Sequence, residues 1–393
     1  MTPHVSELVQ IDPEDLRRSV RGRVITPSDA DYDEARTVML GGVDGRPALI
    51  VRVADADDVA TVIGLAREHG LELAVRSGGH SGAAHGSVDA GIVLDVRDLD
   101  GLEIDEDART AWAGSGLTAG AYTTAAAERG LATGFGDTGS VGLGGITTGG
   151  GIGYLVRKHG LTIDSLLAAE IVTADGSILE VDHERHPDLF WAIRGGGGNF
   201  GVVIRFKLRL HALPEIYGGL LVLPATADTI DGFLAAAAAA PDELSAIANV
   251  MPLPPMPFAP PEQHGTLVIL ALMCWAGPVE QGRATLAPFR AMATPVADFL
   301  APSSYTAMYQ PEDPDYHPLA ISRTFFMDTI DRDLAQVIVD HLEASDAAMR
   351  VAQLRVLGGA MARVAPDHTA FAHRDRALTV SYTHLTLPTI LLV

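Results

Sequence analysis

Arg76-Ser77-Gly78-Gly79-His80-Ser81 is the stretch of this chain whose residue types and spacing could do chemistry. It follows an apolar run over 71–75 that reads as a buried strand. Two glycines at a strand end let the main chain turn tightly and bring its N–H groups close to an anion. Such a loop can cradle a pyrophosphate without any lysine, and His80 is placed to touch whatever that pyrophosphate carries. A solvated or structural histidine in a turn is the plain alternative. A second block, GFGDTGSVGLGGITTGGGIG at 134–153, is half glycine. A flexible linker would carry little besides glycine and serine. Here Val141, Leu143, Ile146 and Ile152 are interleaved, so the segment is expected to fold and pack. Its natural reading is a main chain lying against a flat ligand, with side chains absent where the ligand sits. A glycine-rich turn region without a ligand is the alternative.

The elements that must position these loops are readable from pattern. A strand over 48–53 is followed by Asp55, a helix cap, and by Val59, Val62, Ile63 and Ala66 at helical spacing. Gly70 ends that helix. The unit is βαβ, and its second strand delivers the RSGGHS loop. A strand begins at 92–94, a hairpin pair covers 101–116, and a helix covers 118–130. Two strands, 166–173 and 177–181, are joined by Ala174-Asp175-Gly176. A helix over 187–193 precedes Gly195–Gly198, and 202–210 alternates as a strand. Beyond His211, strands near 246–252, 266–273, 319–327 and 351–357 alternate with helices near 228–240, 278–291 and 331–345. That pattern predicts one antiparallel sheet covered by helices. The Pro-rich stretch 251–263 is a loop.

A chain of 393 residues suggests two domains. The net charge of −22, from 28 basic and 50 acidic residues, argues against nucleic acid or an anionic membrane as partner. It also means that a pyrophosphate would be met by backbone amides and not by a basic patch. The lone Cys274 lies in an apolar run, cannot form an internal disulfide, and reads as a buried small hydrophobe. The first twenty residues lack an apolar core and no long apolar run follows, so a cytoplasmic location is expected. No metal site is expected, because His183 and His186 fall in a charged turn. The GGGGN run at 195–199 lacks the Lys of a phosphate-binding Walker loop. The glycine block is not the tight GxGxxG of a Rossmann unit.

Taken together, RSGGHS and the glycine block resemble the FAD-binding PCMH-type domain of the vanillyl-alcohol-oxidase superfamily, and in particular the berberine-bridge-enzyme-like, oxygen-dependent FAD-linked oxidoreductases. Further pieces of the likeness are ARTV at 35–38, PALIVRVADADDV at 47–59, GIVLDVRDL at 91–99 and HPDLFWAIRGGGGNFGVV at 186–203. It runs from about Tyr32 to Leu210 and continues weakly to Asp375. The resemblance implies an α+β fold, with a two-subdomain PCMH-type FAD-binding domain at 43–211 after a lead-in at 1–42. An antiparallel-sheet substrate domain covered by helices would follow at 212–378. Residues 380–393 contain no acid and no glycine and resemble translated adapter or vector sequence. Residues 379–393 are therefore expected to be a non-native tail in place of the family's C-terminal segment, which supplies a tyrosine and an asparagine at the active site. A genuine short strand is the alternative.

The resemblance also implies residue roles. His80 would bond covalently to the flavin 8α-methyl, which needs a neutral imidazole with its tautomer fixed by a neighbour. The substituent raises the flavin potential and favours hydride removal. Arg76, Ser77, Gly78, Gly79 and Ser81 would bind the cofactor with His80, the N–H groups of 77–81 holding the pyrophosphate. Gly139, Ser140, Val141, Gly142, Gly144 and Gly145, with Gly149, Gly150 and Gly151, would run beside the ribityl chain and the adenosine half. Val203 would meet the adenine through its main chain. Many relatives carry a second tether on a cysteine where this chain has Thr138, so a single covalent link is expected. Val141 lies near a position where a small side chain leaves room for oxygen. Tyr154 is the candidate substrate contact and base. His373 and Arg374 in TAFAHRD support the flavin or, more simply, the structure. The expected activity is oxidation of a CH–OH or CH–NH group of a small organic substrate with O2 as acceptor. A folded flavin protein left inactive by a missing base, and a glycine-rich interaction module without flavin, are the other readings.

Overall fold

The structure is a computed structural model that describes residues 11–313 and 315–385. A four-stranded sheet has the order Arg23–Ile25, Leu49–Arg52, Ile92–Asp95, Leu73–Arg76. The last three are parallel and the first runs against them. Ile92–Asp95 is buried along its whole length, as its unbroken IVLD run requires for a strand covered on both faces. The predicted βαβ unit is present, but its two strands flank Ile92–Asp95 and do not pair with each other. The intervening helix, Ala56–Glu68, starts at Asp55, whose side chain accepts the Asp58 N–H at 3.0 Å, and is followed by Gly70 at φ +63°. The lead-in carries the short helices Pro13–Ser19 and Tyr32–Arg36 and a strand between them. It supplies the edge strand Arg23–Ile25, pinned where the buried Asp58 carboxylate accepts N–H bonds from Arg21, Gly22 and Ala54 at 2.8–2.9 Å.

Parallel register sets Arg76 beside Asp95. The Asp95 side chain is 0% exposed and meets Arg97 at 2.8 Å, Arg76 at 3.0 Å and Arg52 at 3.7 Å. Burial alone would push this carboxyl up. The hydrogen bonds from Arg97 and the charges of Arg76 and Arg97 outweigh it and hold Asp95 below the usual carboxylate range.

A five-stranded antiparallel sheet follows in the order Leu102–Asp105, Thr110–Gly114, Val202–Arg209, Leu166–Val172, Ile178–Val181. Val172, Val202 and Ile204 pack with Val59 and Val62 in one core, joining the two sheets. The large C-terminal sheet contains the four expected strands and adds Ile216–Pro224, Leu378–Leu385 and two short pieces that were not expected. Its order is Ala297–Asp298, Ile216–Pro224, Leu267–Trp275, Leu244–Pro252, Arg350–Val356, Leu378–Leu385, Ala320–Met327, with Ala301–Ser303 also paired to Ile216–Pro224. Helices Ala227–Ala239, Val279–Arg290 and Arg332–Ala344 cover one face, with Phe233, Leu286 and Leu342 set against Ala246, Ala248 and Leu354. The expected non-native tail begins inside the strand Leu378–Leu385, which pairs on both sides. Its remainder, 386–393, lies outside the described residues.

The other face of this sheet meets the glycine block. Arg355 donates to Ile152 O at 2.5 Å and pairs with Asp137. Arg157 donates to Ala240 O at 2.8 Å and to Ala237 O, capping the C-terminus of Ala227–Ala239. At the same junction His159 stacks on His211, centroids 3.8 Å apart and rings 12° from parallel. Burial, with the charges of His211 and Lys158, pushes His159 down to about 3; burial, with Arg209 and Lys158, pushes His211 down to about 4.

Two outcomes follow from this packing. Asp95→Ala leaves the Arg76 guanidinium buried without its partner, and urea titration is expected to show a loss of about 3–5 kcal/mol. For the histidine pair, the unfolded chain takes up protons near pH 6.5 while the folded pair stays neutral to about 4. Stability present above pH 6.5 is therefore lost as pH falls toward 4. The urea midpoint of His211→Gln should fall less steeply over that window than that of the unaltered chain.

Candidate cofactor site

The two glycine loops meet main chain to main chain. A Cβ added at Gly78 would lie 2.3 Å from Gly142 N, and one at Gly142 would lie 1.9 Å from Ser77 Oγ. Ser77 Oγ is turned to Ser115 O at 2.6 Å. Beside this contact lies a cavity of about 530 Å³, within the size range of small-molecule sites, roughly 300–1,000 Å³. Arg76, Ser77, Gly78, Gly79, His80 and Ser81 form one wall; Val141, Gly142, Gly144, Gly145 and Gly149 form another; Val203 lines a third.

The N–H groups of residues 77–81 donate to nothing in the described protein. Five consecutive free donors are unusual, since backbone N–H groups away from bulk water are nearly always paired. Arg76 gives the loop its main chain only. Its guanidinium is held by Asp95 and by the carbonyls of Ala35 and Arg36. A Cβ on Gly145, Gly197 or Gly198 would meet nothing within 4 Å. These glycines border empty space, as walls beside a flat ligand do. The cavity thus offers an anion a row of donors and a ring system a smooth surface, which is the fit that an FAD requires.

Other expected site residues stand elsewhere. Thr138, Gly139, Ser140, Gly150, Gly151 and Tyr154 do not line the cavity. The N–H groups of Gly139 and Ser140 are taken by Glu312 Oε1, at 2.8 and 3.3 Å. Gly150 (φ +119°) and Gly151 (φ +78°) need glycine because they turn against the protein itself. Added Cβ atoms there would lie 2.7 Å from the Phe371 ring and 2.0 Å from Thr162 Oγ1. Tyr154 is 1% exposed and sits among Tyr305, Met308 and Cys274. Burial raises its phenol well above the ordinary value, the direction opposite to what proton abstraction needs. Arg374, also 1% exposed, pairs with Asp164 at 2.7 Å, and His373 stacks on Phe326, so TAFAHRD is tied into the structure.

His80 Nε2 lies 2.8 Å from Ser140 Oγ, which in turn bonds to Glu312. Burial lowers the imidazole below its ordinary value, and the Glu312 charge opposes this only in part. Residues that sequence reasoning left out of the site include His85, Ser115, Thr148, Gly197, Gly198 and Gly201 on the walls, and Glu312 outside them. The glycine run at 195–198 carried a usable signal. Glu312 carried none, for its neighbours are brought to it by the docking of the second sheet.

Comparison with known proteins agrees with this geometry. The FAD binding domain family matches residues 47–182. The (R)-6-hydroxynicotine oxidase of Paenarthrobacter nicotinovorans is 33% identical over 73% of this chain, which spans 62% of that protein's length. An FAD-linked oxidoreductase of Dictyostelium discoideum is 30% identical over 84% of this chain and 71% of its own. The fold is shared with the BBE-like 1 protein of Physcomitrella patens, with a TM-score of 0.84 at 20% identity, covering 96% of this chain and 84% of that one. With the free N–H row, the glycine walls and these likenesses in hand, the chain belongs to the FAD-linked oxidoreductases of the PCMH-type, vanillyl-alcohol-oxidase superfamily.

Proposed function

We propose that the cavity holds FAD tethered by a single bond to His80, and that the protein oxidises a CH–OH or CH–NH group of a small organic substrate with O2 as electron acceptor. The observation that carries this reading is the row of free N–H groups at 77–81, ending on an imidazole that borders the same cavity. When bound, the flavin supplies a two-electron acceptor for the hydride. The rest is the work of the chain. The N–H groups of 77–81 hydrogen-bond the pyrophosphate in a protein whose overall charge of −22 would otherwise repel it. Gly145, Gly197 and Gly198 leave the ring system and its chain room to lie flat. Val203 presents its main chain to the adenine.

Several features support a single tether. Thr138 has no nucleophilic sulfur. Cys274 is buried outside the cavity, with its thiol pushed up to about 12, so it supplies no thiolate. The lowered His80 keeps its ring neutral, the form that can bond to carbon. We propose that the substrate lies against the C-terminal sheet; the name of the 6-hydroxynicotine oxidase relative supports a small organic molecule as its class. No residue is assigned as the base, since burial makes the Tyr154 phenol a weaker acid.

Two experiments test the reading. His80→Ala should remain yellow, with absorbance near 450 nm, but should release all flavin on acid precipitation, whereas the unaltered chain keeps it. Colour retained in the acid pellet of His80→Ala would disprove the tether. Gly145→Leu meets no protein atom near its Cβ and suits its helix, so it should fold normally. It should bind FAD about 10–100-fold more weakly, as about 1–3 kcal/mol of steric intrusion implies. Unchanged affinity in equilibrium fluorescence titration would place the cofactor elsewhere.

A further inference from the structure

We infer that Ser140 and Glu312 form a proton relay that selects the tautomer of His80 and takes up its proton when the ring bonds to the flavin through Nδ1. This rests on the tether proposed above and goes beyond it, naming two positioning residues. The geometry is a chain of contacts. His80 Nε2 lies 2.8 Å from Ser140 Oγ, and the Ser140 hydroxyl donates to Glu312 Oε2. Because the serine's hydrogen is directed at the carboxylate, its oxygen is left to accept from Nε2–H. The neutral ring then carries its lone pair on Nδ1, which takes no hydrogen bond from the described protein. A lone pair held this way is the nucleophile that coupling requires.

Glu312 is fixed for the role. Its Oε1 accepts the N–H groups of Gly139 and Ser140, at 2.8 and 3.3 Å, which leaves Oε2 for the serine. Burial of His80 favours its neutral form, and the glutamate charge acts against that only in part. Coupling balances as follows. The bond formed joins Nδ1 to the 8α-carbon. The bonds lost are one C–H of the 8α-methyl and the N–H on Nε2, the latter proton passing through Ser140 to Glu312. Two electrons enter the flavin and pass to O2, which leaves with two protons as hydrogen peroxide.

The test uses full-length apoprotein mixed with FAD under air, with flavin in the acid pellet followed over time. Glu312→Gln keeps an amide oxygen to accept the two N–H groups but cannot take a proton. Ser140→Ala breaks the bridge and leaves those two bonds in place. Both are expected to bind FAD at first mixing as the unaltered chain does, within about twofold, yet to couple at least tenfold more slowly. Glu312→Asp should recover part of the rate. NMR of the flavin-histidine released by digestion should show the bond at Nδ1. Coupling of Glu312→Gln at the unaltered rate would leave Glu312 a backbone brace and overturn the relay, as would attachment through Nε2. An unaltered chain that never retains flavin in acid overturns the tether itself, and the relay with it.

Discussion

The site depends on one steric constraint: two main-chain segments, around Gly78 and around Gly142, approach so closely that neither can carry a side chain. That contact aligns the N–H row of 77–81 with the wall formed by Gly144, Gly145 and Gly149. A side chain at either glycine would drive the loops apart and unpair both walls. The glycines of this chain therefore divide into two physical classes. Those at 78, 142, 150 and 151 are required because protein atoms crowd them. Those at 145, 197 and 198 border open volume. Glycine content alone does not separate the two.

The electrostatics follow the same division of labour. Charged side chains near the loop serve the fold. Arg76, Arg97 and Arg52 gather on Asp95 at the sheet end, and Arg76 also ties down the carbonyls of Ala35 and Arg36. The free N–H row at 77–81 offers an anion neutral donors, which impose direction without a net charge that must be desolvated. An acidic protein can in this way keep a doubly charged ligand.

Much of this was legible in the sequence, because it rests on local pattern. Period-two and period-3.6 alternation marked three helices and four strands of the large sheet within a residue or two, but missed Ile216–Pro224 and took most of Leu378–Leu385 for a tail. Asp55 marked a helix start through its capping side chain. Glycine density marked the cavity walls. What was not legible depends on contacts distant along the chain. The insertion of Ile92–Asp95 between the strands of the βαβ unit is a matter of pairing order, and no periodicity encodes it. The edge strand Arg23–Ile25 exists because Asp58 anchors the preceding turn. A short helix, Leu143–Thr148, sits inside the glycine block where propensity argues against one; its Leu143 is buried in the core beside Tyr122 and Phe135. Tyr154 stands three residues beyond that block's triple glycine, yet the chain turns it into the packing between the halves and away from the cavity.

The bonds that Glu312 accepts from Gly139 and Ser140 span up to 173 positions of sequence. A chain synthesised from its N-terminus completes the parallel sheet and both glycine loops well before that glutamate emerges. The cradle can thus be assembled early from its own half of the molecule, while its last brace arrives with the second sheet. Under the tether and relay proposed above, biogenesis has a built-in order, in which a firm hold on the flavin certifies that the later half has docked.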